Sequence, residues 1–153
     1  MKRLSCKYAH FLYVVLMGLI MTSCMEAGFP PEFKVNLFSV AGNAYDAEDG
    51  SAIQGLLVTM TAYSTDDIQM TSPLIARDVT TASDGSYYFA LTLEEYNSAQ
   101  LFFQFSVTDN SGRENKYMSM QRGLFLSASS RFYQPDSKSY RVTGNDFLLE
   151  VEH

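Results

Sequence analysis

Alternation with a period of two, recurring along the chain with no sustained 3.6-residue period, most limits how this sequence folds. In Leu101-Phe-Phe-Gln-Phe-Ser-Val-Thr108, Leu101, Phe103, Phe105 and Val107 share one parity, and Phe102, Gln104, Ser106 and Thr108 share the other. Successive side chains on a strand point to opposite faces, so this pattern predicts a strand with one buried side. Leu56, Val58, Met60 and Ala62 repeat it, as do Tyr87, Phe89 and Leu91, and Phe147, Leu149 and Val151 near the end. Ten Tyr and eleven Phe, with Thr and Val, favour the same state. Asp46-Ala-Glu-Asp-Gly50, Ser83-Asp-Gly85 and Asp109-Asn-Ser-Gly112 read as turns between strands.

Seven strands follow, over 33–45, 56–62, 74–81, 87–91, 101–108, 116–126 and 140–152. The first changes parity, from Phe33, Val35 and Leu37 to Phe38, Val40 and Ala44, which predicts a bulge or break near Leu37-Phe38. Residues 64–73 read as a polar loop, Leu93–Ser98 as a helical turn or loop, and 126–139 as a long Ser-rich loop. The prediction is an all-β, Ig-like or transthyretin-like sandwich of about seven strands over residues 33–153. Its expected core holds Leu56, Val58, Met60, Tyr87, Phe89, Phe103, Phe105, Val107, Phe147 and Leu149.

Before the predicted domain lie Lys2, Arg3 and Lys7, then an apolar run of 11 residues from Phe11 to Met21, then Thr22-Ser23-Cys24. The run is short of the roughly 20 residues that span a bilayer and matches the apolar part of a cleavable signal. The arrangement resembles a bacterial lipoprotein signal, with Met21 where Leu is usual. That resemblance implies removal of residues 1–23 and acylation of Cys24. Residues 24–32, with Gly28, Pro30 and Pro31, then read as the lipidated Cys and a flexible tether. The expected partner is a membrane, engaged through the lipid anchor. The expected place is the cell envelope, at the outer membrane, facing the periplasm or the surface.

Cleavage leaves 130 of the 153 residues, enough for one domain with its own core. The two cysteines are Cys6 in the signal and Cys24, so no disulfide is expected. The chain has 11 basic and 17 acidic residues; without Lys2, Arg3 and Lys7 the net charge is near −9. Such a surface repels nucleic acid, and no nucleic-acid partner is expected.

Two segments together resemble the carboxypeptidase regulatory-like domain, a transthyretin-like sandwich. The first is Val40-Ala-Gly-Asn-Ala-Tyr-Asp46 with Gly50-Ser-Ala-Ile-Gln-Gly55 and Leu56-Leu-Val-Thr-Met60. The second is Thr80-Thr-Ala-Ser-Asp-Gly-Ser-Tyr-Tyr-Phe89. Ala52 stands where Pro is usual in that family, and Ala82 where Asp is usual. A lipoprotein signal ahead of such a domain is similar to short lipoproteins of Bacteroidetes-type bacteria, and Tyr140-Arg-Val-Thr-Gly-Asn-Asp-Phe147 resembles the ending of their radical SAM-associated family. These resemblances imply the sandwich fold and say little about activity.

The only histidines are His10 and His153, so the domain interior lacks the commonest base and metal ligand. Asp66-Asp67 and Glu94-Glu95 are adjacent acids without the facing geometry of a glycosidase pair. Ser127, Ser129 and Ser130 read as loop serines without a base, though a Ser-Lys dyad with Lys116 or Lys138 is formally open. No catalytic residue, cofactor or metal is therefore expected. The alternative is calcium held by Asp46, Glu48 and Asp49 with Asp84, or with Asp109 in its place. Phe102, Tyr88, Tyr133 and Tyr140 are candidates for an exposed aromatic patch facing a protein or glycan partner. The expected function is a non-enzymatic, membrane-anchored lipoprotein serving as a binding, assembly or accessory module. Alternatives are a glycan- or ligand-binding accessory lipoprotein of an uptake or export system, or a partner of a radical SAM maturation pathway.

Overall fold

The computed structural model describes residues 33–152 apart from Ile68 and Asn115. Cys24, the signal and the tether lie outside the described residues, as does His153. The strands are β1 (Leu37–Asp46), β2 (Leu57–Ser64), β3 (Ile75–Thr80), β4 (Ser86–Thr92), β5 (Leu101–Thr108), β6 (Met120–Phe125), β7 (Tyr133–Gln134), β8 (Ser139–Val142) and β9 (Phe147–Leu149). One sheet runs β4-β1-β8-β7, with β9 also on β1; the other runs β3-β2-β5-β6. The described residues form the all-β sandwich expected, with nine strands rather than about seven. Of the two readings for Leu93–Ser98, the loop is what forms, and a short 3-10 turn follows at Ser98–Gln100.

The two extra strands have identifiable origins. β7 is a two-residue strand within the expected Ser-rich loop. β9 arises because the expected last strand is divided. β8 and β9 both pair with β1 in parallel, but partner numbers differ by 102 along Leu37–Val40 and by 103 along Ala44–Asp46. One inserted residue in the Thr143–Asp146 segment accounts for the change, which makes the segment a bulge on a parallel pair. Gly144 supplies its left-handed turn at φ 72°. The bulge is tied back to β1, where Asn145 N–H donates to the Ala41 carbonyl at 3.2 Å and Asn43 N–H to Asp146 Oδ1 at 2.8 Å.

The parity change at the start of β1 also takes the form of a bulge. Asn36 and Leu37 N–H both donate to the Lys138 carbonyl, at 2.7 and 3.3 Å, so two residues oppose one. Val35 is buried before it and Phe38 and Val40 after it, while Leu37 turns outward.

All ten residues expected in the core are buried. Aromatic rings join the two sheets. Phe38 of β1 stacks on Phe103 of β5 at 4.2 Å between centroids, and Phe89 of β4 meets Phe105 of β5 at 6.2 Å. Such pairs add about 0.5–1.5 kcal/mol each beyond their buried area. Two buried hydroxyls secure the connections. Ser98 Oγ accepts from Val35 N–H at 2.8 Å, and Thr81 Oγ1 accepts from Leu56 N–H at 3.0 Å while donating to the Ile53 carbonyl at 2.7 Å.

Candidate functional site

The outer face of the first sheet carries a trough. On β1 three successive outward residues between Leu37 and Tyr45 are short: Ser39, Ala41 and Asn43. They form its floor between one long side chain on each neighbouring strand, Ala90 and Ser86 at the other paired positions of β4 being short as well. Register places Tyr88 of β4 beside Ala41 and Arg141 of β8 beside Ser39. Tyr88 is 60% exposed. Two hollows meet at this ring. One, of about 580 Å³, runs past Asn43, Ser86 and Gly144; the other, of about 270 Å³, runs past Ser39 to Arg141. Both are lined by Ala41, Tyr88 and Thr143. The larger has the size of a small-molecule site.

A buried polar node supports one end. The Tyr87 hydroxyl donates to the Asn145 carbonyl and accepts from Asn145 Nδ2 at 2.9 Å. Burial pushes this phenol well above its usual range, against the Asn145 hydrogen bond and the charge of Arg122. Gly42 lies beneath: a Cβ there would collide with the Asn145 carbonyl oxygen and sit 2.7 Å from the Tyr87 hydroxyl. The missing side chain at residue 42 is what lets the bulge approach β1 so closely.

The four acids considered for calcium do not converge. Asp46 Oδ1 accepts from Glu48 N–H at 2.7 Å, Asp49 Oδ1 from Ser51 N–H at 2.7 Å, and Asp84 Oδ1 from Ser86 N–H at 3.0 Å. Each caps its own turn. The Glu48 N–H and then the Tyr117 hydroxyl, which donates to Asp46 Oδ2 at 2.9 Å, hold the Asp46 carboxyl below its usual range. Ser86 does the same for Asp84. Asp109 is buried, which pushes its carboxyl up. Donors on Ser111, the Tyr117 N–H and the Arg113 charge outweigh that and hold it low. Among the described residues no three His, Cys, Asp or Glu lie close enough to share a metal ion.

The other candidates separate. Tyr140 is buried, against Phe38, and is removed from the exposed set. Tyr133 is half-buried against Phe33, and its hydroxyl donates to the Lys34 carbonyl at 3.1 Å. Phe102 lies on the opposite sheet, 4.6 Å from the exposed Phe125 ring and directly over Gly123. Ser127 and Ser129 bond each other at 2.9 Å and Ser130 bonds the Phe132 N–H, as turn formers. Asp67 accepts from Thr71 and Ser72 N–H, while Glu94 and Glu95 edge a separate hollow with Arg77 and Tyr96. Arg141 escaped sequence reasoning altogether. Its partner across the trough is set by parallel β1–β8 pairing, for which the local sequence carries no signal.

No family model matches the chain, and no curated protein matches it. Solved structures do. Chlorocatechol dioxygenase of Rhodococcus opacus 1CP (3-chlorocatechol 1,2-dioxygenase) superposes at TM-score 0.50 and 10% identity, over 81% of this chain and 63% of its own. The dioxygenase domain of a dioxygenase carbohydrate-binding protein fusion from Streptomyces sp. SirexAA-E gives 0.50 and 16%, over 81% and 86%. Catechol 1,2-dioxygenase of Acinetobacter sp. ADP1 gives 0.50 and 11%, over 84% and 56%. The chain thus spans less than two thirds of the Rhodococcus and Acinetobacter enzymes. At these identities the likeness establishes the architecture alone.

The comparison nevertheless corrects the expected function. The expectation of a non-enzymatic binding, assembly or accessory lipoprotein rests partly on the fold and partly on missing His and Cys. Structures of this architecture bear the names of enzymes, so the sandwich does not mark a non-catalytic module. The oxidative step of those enzymes is a separate matter. Oxygen chemistry in proteins runs on a bound redox metal or organic cofactor. Among the described residues no three carboxylates converge, Asp46, Asp49 and Asp84 are bonded to their own turns, and 33–152 contain no histidine. These donors do not fit an oxygen-activating metal centre, and no oxidative step follows from them.

Proposed function

We propose that this chain is a lipid-anchored domain of the bacterial cell envelope whose trough beside Tyr88 holds a small ring-bearing molecule. The observation that carries the binding half is the trough itself. Tyr88 stands exposed beside short side chains on β1 and lines both hollows. Aromatic faces favour stacking with other rings. The names of the neighbouring structures support the ligand class, since they include catechol and chlorocatechol 1,2-dioxygenases. The carboxypeptidase regulatory-like resemblance is compatible with the same sandwich.

The anchoring half is supported by the basic start, the 11-residue apolar run and Ser23 before Cys24. One acyl chain anchors marginally and two anchor stably. Mass spectrometry of membrane fractions is expected to find an acylated Cys24 as the mature N-terminus; an unmodified product starting elsewhere sinks the anchoring half.

Binding is tested by calorimetric titration of catechol into the detergent-solubilised full chain. Saturable binding is expected, weakened several-fold to about tenfold in Tyr88→Ala, in keeping with the ~0.5–1.5 kcal/mol of an aromatic pair. Equal binding by the two proteins contradicts the assignment.

A further inference from the structure

The described residues contain five arginines, and four are engaged. Arg77 donates to the Ala76 carbonyl at 2.9 Å and Arg113 to the Gln54 carbonyl. The Arg122 and Arg131 guanidinium groups lie over Phe147 and Phe132, at 5.4 and 4.9 Å from the ring centroids. Arg141 is the exception. It is exposed on the outer face of β8, and among the described residues its guanidinium has no hydrogen-bond, ion-pair or ring partner.

Its position is not arbitrary. Arg141 pairs with Ser39 and Tyr88 with Ala41, so the two stand on opposite walls of the trough, offset by two residues along β1. Two strand spacings across and two residues along place their Cα atoms about 12 Å apart. That gap suits a single ring lying against Tyr88 with a substituent reaching the guanidinium. Both side chains line the same hollow, with Ser39 and Ala41 beneath.

We infer that the trough takes its ring ligand as an aromatic carboxylate, the ring against Tyr88 and the carboxylate on the Arg141 guanidinium. This rests on the ring-binding reading above and adds the anionic group. A guanidinium presents a fork of N–H donors that matches a carboxylate in a bidentate pair. In a chain with 17 acidic and 11 basic residues, diffuse surface charge repels anions, so selectivity for one has to come from a placed cation.

The test uses the full chain in neutral detergent at low ionic strength, with benzoate and benzyl alcohol as probes. Benzoate is expected to bind at least tenfold more tightly than benzyl alcohol. Arg141→Gln should abolish that difference, with the melting temperature confirming that the fold is intact. Arg141→Lys, which keeps charge and loses the fork, should fall between. If both probes bind equally and Tyr88→Ala weakens both, the ring site stands and the carboxylate inference falls. If benzoate preference survives in Arg141→Gln, the inference also falls. If neither probe nor catechol binds, the ring reading fails and this one with it.

Discussion

Tyr87 and Tyr88 are adjacent, and the pleat gives them opposite fates. Tyr88 faces solvent over the trough, whereas Tyr87 is 4% exposed and commits its hydroxyl to Asn145. Tyr87→Phe strands the Asn145 carbonyl and amide, and is expected to cost about 1–3 kcal/mol by urea unfolding. Folding raises the Tyr87 pKa above the ordinary phenol value of 10, so the folded state holds that proton more tightly. Its stabilisation is present in full below pH 10 and declines as pH rises beyond. The alkaline loss of stability should therefore be shallower in Tyr87→Phe. Asp109 runs the other way. Its carboxyl is held low in the folded state, so its contribution is present above the usual carboxylate range and lost as pH falls through the folded value. Urea midpoints measured from neutral to acid pH should fall less steeply in Asp109→Asn than in the parent; an equal slope contradicts the placement of Ser111, Tyr117 and Arg113 around that carboxylate.

At the scale of elements, legibility follows locality. β5 is the cleanest alternation in the chain and forms as expected, because its inward Leu101, Phe103, Phe105 and Val107 need only be apolar and in register with one another. The division of the last strand into β8 and β9 is not legible. Thr143-Gly-Asn-Asp146 bulges because of what β1 offers opposite it: the Ala41 carbonyl, the Asn43 amide and the empty space at Gly42. Gly144 at φ 72° would have nothing within 4 Å of a Cβ placed on it, so Gly144→Ala tests conformation alone, with an expected loss of about 1 kcal/mol by denaturant titration. Gly42→Ala should cost more, because its methyl meets backbone of the bulge rather than solvent. The exposed edge strand β6 shows a further device. Arg122, paired with the inward Phe105, turns its charge over the Phe147 ring, which discourages another strand from adding there.

Across the whole molecule, the two sheets close on a single aromatic-rich core, and the site depends on how that closure arranges distant segments. Phe105 sits within it, and Phe105→Ala is expected to cost about 3–5 kcal/mol, a large part of the stability of a domain this size. Such a core is readable from parity alone. The trough is readable only in part: Tyr88 stands out as an aromatic on the polar face of its strand, but its floor on β1 and its far wall on β8 come from segments about 50 residues either side. Short residues such as Ser39 and Ala41 carry no functional signal until a neighbouring strand gives them walls. The acids are the reverse case, prominent in sequence and used up locally in turns. The proposed function rests on the Tyr88 trough as the place where a ligand would be met. Backbone amide chemical shifts of the full chain, recorded while catechol is added, report on that placement residue by residue. Saturable shifts confined to Ser39, Ala41, Tyr88, Arg141 and Thr143 are expected. Shifts centred on the hollow at Glu94–Tyr96, on Phe102 and Phe125, or nowhere, would contradict it.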